Sequence, residues 1–168
     1  MTPSRRCATL PGSRDAGDAG DAVANACMTR IGFYILRASE PHAFVCRLCQ
    51  QLLRRGQQVY VHAMDAQQVR RIDEALWTER PESFIPHDVL GAGEDAQTPI
   101  LIGQTEPPEH HADILINLAP DVPLFFSRFA RVAEIIPSHD SLKAAGRTRF
   151  QFYRDRGYQL DTYQDVDG

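Results

Sequence analysis

The chain has 168 residues, a hydrophobic fraction of 43% and a formal net charge of −4, with a pI near 5.8. That length and apolar content suit one domain with its own core, and the acidic balance excludes a surface built throughout to hold nucleic acid, so that any basic patch must be found by position. No apolar run reaches the length of a membrane span, the N-terminal stretch lacks the apolar middle region of a secretory signal, and the four cysteines form no disulfide framework, all of which predicts a cytoplasmic protein.

Residues 1–27 are small and polar, with the near-repeat Asp15-Ala-Gly-Asp-Ala-Gly-Asp21, and hold too little apolar material to offset the entropy of ordering them. A disordered tail is expected there, with Met28 as an alternative translation start. Residues 28–168 are expected to form a single α/β domain whose C-terminus frays after about residue 160. A strand at 31–36 leads to Glu40-Pro41, a helix start, and Phe44, Val45, Leu48, Cys49, Leu52 and Leu53 recur at helical spacing until Gly56. A second strand, 58–64, precedes Asp65 as an N-cap, and a helix through Val69, Ile72, Leu76 and Trp77 must end before Pro81. Two short branched runs, 99–103 and 113–118, read as buried strands. Phe125, Phe126 and Phe129 suggest a short helix, 132–136 a further strand, and 139–156 a closing helix ended by Gly157. The alternation predicts a three-layer, Rossmann-like open sheet of about five mostly parallel strands with helices on both faces.

Several motifs lose their meaning in context. Gly91-Ala-Gly93-Glu-Asp-Ala96 fits the relaxed dinucleotide fingerprint, but it leads into a strand, and its own acids repel phosphate. Cys46 and Cys49 lie within a helix rather than at its N-terminus, without a second ligand pair nearby, which favours core packing over redox or zinc chemistry. His110-His111 sits on what reads as a solvated loop, and His87-Asp88 has no activated nucleophile to complete a triad. No catalytic constellation, metal site or cofactor is expected.

The closing helix carries the most telling pattern. Lys143, Arg147, Phe150 and Arg154 fall within an arc of about 60° at helical spacing, on a different side from Leu142, Ala145, Gly146, Phe152 and Tyr153. A solvated face with one stray aromatic is the plainer reading. The sharper one is a cleft for a partner that carries carboxylates and an aromatic ring, and its rival is a face for single-stranded nucleic acid. Arg149 and Arg156 project near the inner side, where they must snorkel past the edge or pair locally.

Three segments together resemble the chi subunit of bacterial DNA polymerase III: Arg71-Ile-Asp-Glu-Ala-Leu-Trp77, then Glu82-Ser-Phe-Ile-Pro-His87, then Asp140-Ser-Leu-Lys143 followed by Arg147, Phe150 and Tyr153-Arg154. The resemblance implies a non-catalytic clamp-loader accessory protein that pairs with the psi subunit and grips the acidic C-terminal tail of single-stranded DNA-binding protein, meeting DNA only indirectly. It implies a tail pocket of Lys143, Arg147, Phe150 and Arg154 with Ile136 at its apolar wall. Phe150 stands where the family is expected to have tyrosine, and Gln151 where lysine can occur, so the grip is expected to be weaker. It also implies a psi-facing surface at Trp77, Phe84 and Ile85, which other partners such as a damage-response helicase share.

Overall fold

The computed structural model describes residues 28–79, 82, 84–92 and 97–167. The expectations for residues 1–27 and for Gly93 through Ala96 of the glycine motif lie outside the described residues. Strand β1 (Arg30–Leu36) is followed by helix α1 (His42–Arg54), β2 (Val59–His62), α2 (Ala66–Thr78), β3 (His87–Val89), β4 (Ile100–Gly103), β5 (Ile114–Asn117), a 3-10 turn (Phe126–Arg128), β6 (Arg131–Ile136), α3 (Asp140–Asp155) and β7 (Leu160–Val166). The seven strands form one sheet in the order β3-β4-β2-β5-β6-β1-β7, and every neighbouring pair is parallel.

Local chemistry sets the element ends. Asp65 caps α2 by accepting a hydrogen bond from the Gln68 N–H at 2.7 Å. Gly56 closes α1 at φ +69°, a left-handed conformation that costs glycine little. Strands β4 and β5 are buried along their whole length, as expected of central parallel strands covered on both sides. Helices α1 and α2 pack Val45, Leu48, Cys49, Leu52, Val69, Ile72 and Leu76 onto one face of the sheet. The opposite face carries Phe33, Tyr60, Leu101, Leu115 and Val132 beneath Phe126, Phe129 and Tyr153.

The five expected strands are present, and two edge strands join them. The expectation of a C-terminus frayed after residue 160 is corrected: β7 pairs with β1 from Leu160 to Val166, and Tyr163 stacks on Tyr34 with ring centroids 4.8 Å apart. An edge strand with few apolar residues looks like a loop in sequence, because its polar residues face water. The three-residue β3 escapes for the same reason. His111 is also corrected. It is buried rather than solvated, with Nε2 2.9 Å from the Thr98 carbonyl and Nδ1 without a partner among the described residues, and burial lowers its pKa.

Helix α3 is seated by a buried polar network. Glu134, in the middle of β6, is fully buried and accepts hydrogen bonds from Arg149 Nε at 2.8 Å, the Tyr153 hydroxyl at 2.7 Å and Asn117 Nδ2 at 3.0 Å. Arg149 also donates to the Pro120 carbonyl at 2.7 Å, and Asn117 to the Asp121 carbonyl at 3.1 Å. Arg149 therefore turns inward to an ion pair and does not snorkel. Arg156 does stay outside, its guanidinium 3.5 Å from the Phe152 ring centroid. Burial pushes the Glu134 carboxyl pKa up, opposed by Arg149 and by the Tyr153 and Asn117 donors. Removing one member strands the others in a dry interior, so Glu134→Ala is expected to lower the unfolding free energy by about 3–5 kcal/mol in a urea titration. A loss below about 1 kcal/mol would contradict a buried ion pair at this position.

Candidate functional site

Helix α3 comes close against the sheet at Gly146. A Cβ built there would lie 2.5 Å from Ile136 Cδ1, so the helix rests on the Ile136 side chain at the end of β6, and a larger residue would have to push that side-chain tip aside. Glycine inside a helix costs about 1 kcal/mol relative to alanine, and the close seat explains its presence. His139 precedes the helix, its Nδ1 2.9 Å from the Ser141 hydroxyl.

The stripe keeps the geometry that helical spacing demands, with one change of meaning. Arg147 and Arg154 are exposed, and Lys143 is half-buried. Phe150 is not a stray ring: it is half-buried, and its edge meets Phe33 of β1 with centroids 5.2 Å apart. Ile136 lies beneath the helix with only 5% exposure, a floor to the stripe rather than an open wall. The Lys143 and Arg147 side chains make no hydrogen bond or ion pair with the described residues, while Arg154 Nε lies 3.8 Å from Asp155 Oδ1 in a solvent-exposed pair of little strength. The result is a row of cations, on a helix seated against the sheet, flanking a partly open aromatic ring. Such a row complements carboxylates joined to an apolar group.

A second surface gathers on the opposite face of the sheet. Trp77 ends α2 with 54% exposure, and Phe84 is 72% exposed, with ring centroids 5.8 Å apart. Trp77 also packs on His87 at 4.8 Å. The His87 side chain is buried, with Nδ1 2.7 Å from the Ile85 carbonyl and Nε2 3.1 Å from Asp73 Oδ1. Its acidic neighbour is thus Asp73, not Asp88, whose carboxylate instead accepts from the Val89 N–H. Ile85 itself is buried and lines a shallow depression with Cys46, Leu76 and Glu79. Of the three residues expected on this surface, the structure exposes Trp77 and Phe84 and places Ile85 underneath them.

Cys46 and Cys49 are both buried free thiols. Burial pushes the Cys49 thiol up to about 12 and raises Cys46 as well, which suits core packing and not a reactive thiolate. Among the described residues no group of three His, Cys, Asp or Glu side chains is arranged to hold a metal ion, and no helix is long and apolar enough to cross a membrane. The glycine motif begins as a turn, with Gly91 at φ +89° and the Ala92 N–H bonded to the Val89 carbonyl. The buried Glu134 network is the feature that sequence reasoning missed. Its signal was a glutamate inside an apolar strand together with an arginine on the inner side of a helix, two mismatches that resolve each other.

Comparison with known proteins follows the same outline. Residues 28–161 match the family model described as DNA polymerase III chi subunit, HolC. The chain is 41% identical over 140 residues to DNA polymerase III subunit chi of Pseudomonas aeruginosa, covering 82% of this chain and 97% of that protein. Its likeness to the subunit of the same name from Escherichia coli is 35% over 119 residues, covering 70% and 81% respectively. Among solved structures, T4 UvsW shares the fold with a TM-score of 0.62 at 10% identity, covering 83% of this chain and 42% of that one. With a family model that spans all three helices and the first six of the seven strands, the chain belongs to the DNA polymerase III chi subunit family, HolC.

Proposed function

We propose that the protein is a non-catalytic accessory subunit of DNA polymerase III that docks the acidic C-terminal tail of single-stranded DNA-binding protein on α3 and meets the psi subunit through Trp77 and Phe84. The observation that carries this reading is the pairing of Lys143 and Arg147, which have no partner among the described residues, with the partly open Phe150 ring on a helix fixed from below. Carboxylates of the tail pair with Lys143, Arg147 and Arg154. The terminal ring of the tail packs on Phe150, with Ile136 and Gly146 beneath. Seating the helix before the partner arrives leaves only the cationic side chains themselves to be ordered on binding.

The chemistry favours a peptide over a nucleic-acid strand. Stacking of successive bases calls for several open ring faces along a basic groove, and the α3 stripe has one ring, half-covered by Phe33. On the other side of the sheet, Trp77 and Phe84 form a pair of exposed rings supported by His87, an anchor type common at protein interfaces. A damage-response helicase would compete with psi for this same pair.

Two outcomes are expected. In calorimetric titration with the tail peptide, Arg147→Ala weakens binding by at least about tenfold while the unfolding midpoint stays unchanged, and native binding weakens as salt rises. Unchanged peptide affinity, or oligonucleotide binding tighter than peptide binding, would overturn the site. In co-purification with psi, Trp77→Ala reduces complex formation by at least about tenfold and leaves tail-peptide affinity intact. Loss of both together would point to a damaged fold instead of a separate interface.

A further inference from the structure

A second basic cluster lies on the sheet face opposite α3, and neither docking surface uses it. Arg30 opens β1, Arg131 opens β6, and the two are direct partners in the parallel ladder, so their side chains leave the sheet side by side. Alternation along β1 puts Gly32 and Tyr34 on the same face. Beyond them β7 adds Asp161 next to Gly32 and Tyr163 next to Tyr34. Gly32 and its β6 partner Ala133 leave a floor of small residues between the arginines and the tyrosines.

The cluster is electrostatically incomplete. Like charges at paired strand positions repel. Arg131 is only 8% exposed, its Nε is sealed from water without a partner, and its guanidinium makes no hydrogen bond or ion pair with the described residues. The Tyr34 hydroxyl is likewise buried and without a hydrogen-bond partner among the described residues, in a residue 3% exposed. Asp161 is the one acid among the groups acting on Arg131, and it forms no ion pair with either arginine. Burial, and then the Arg30 charge, lower the pKa of Arg131, while burial raises that of Tyr34. Leaving a buried cation unpaired is strongly unfavourable, and buried hydroxyls normally find partners.

We infer that Arg30, Arg131 and Tyr34 form a binding site for a phosphate-class oxyanion. Two guanidinium groups and a phenolic O–H supply donors from three positions around the small-residue floor, and phosphate supplies the several acceptor oxygens that these donors lack. The residual exposure of Arg131 lets a small ion reach the site without unfolding. The same chemistry is carried by the free ion and by the terminal phosphate of a nucleotide chain.

The test uses the full chain and inorganic phosphate exchanged for chloride at fixed ionic strength. Phosphate is expected to raise the thermal midpoint by about 3 °C or more and to shift the amide resonances of Gly32 and Tyr34. Arg131→Met should abolish both responses and be at least as stable as the native chain in chloride, because it removes an unpartnered buried charge. Arg30→Gln, at a less buried position, should weaken phosphate binding by at least about fivefold. Arg147→Ala should retain the phosphate response, which separates this site from the α3 stripe. A 5′-phosphorylated dinucleotide set against its unphosphorylated form distinguishes the two sources: a response equal to that of phosphate assigns the free ion, and a tighter one the nucleotide end. No midpoint rise with either probe, a rise that survives Arg131→Met, or one that disappears in Arg147→Ala would overturn the proposal.

Discussion

The position of α3 depends on one buried carboxylate. Glu134 leaves the centre of β6 into a dry interior and is satisfied by Arg149 and Tyr153 from the helix and Asn117 from the end of β5. Hydrogen-bonding directions fix rotation and height in a way that apolar contact does not. Together with the close seat of Gly146 on Ile136, this network sets which side of α3 faces water. The outward side then holds Lys143, Arg147 and Arg154, and turns Phe150 half inward against Phe33. The basic row is thus a consequence of the inner one: Arg149 is withdrawn to neutralise Glu134, and the Lys143 and Arg147 side chains are left without a hydrogen bond or ion pair among the described residues.

The two candidate docking surfaces lie on opposite faces of the sheet, because α1 and α2 cover one face and α3 the other. A partner on Trp77 and Phe84 therefore does not contend for the space over α3. That separation suits a connector, which must hold one protein while gripping another. Polar groups near the strand ends are used structurally: Asn117 belongs to the Glu134 network, and Asp65 caps α2.

Much of this architecture is readable from residue order. Central strands such as 100–103 and 114–117 are short branched runs with no competing signal, and Asp65 and Gly56 mark helix ends by their own chemistry. The edges are harder. Strand β7 is legible only through Tyr34, which stacks on Tyr163 from more than a hundred residues away. Helical spacing puts Phe150 on the same arc as the basic residues, yet its contact with Phe33 depends on how far α3 rolls, and helical spacing alone carries no such information. Likewise, Glu134 and Arg149 each look misplaced until the fold joins them, and Ile85 reads as part of an exposed aromatic segment until the backbone turns it inward.

The most direct test of the central claim is a map of the bound tail on the protein. Amide resonances of the full chain are followed while the acidic peptide is titrated at moderate salt. The account predicts shifts concentrated at residues 143–154, saturating with the peptide, with the Trp77 indole unmoved. Shifts centred on Trp77 and Phe84, or spread over the sheet edges without saturation, would contradict a tail site on α3.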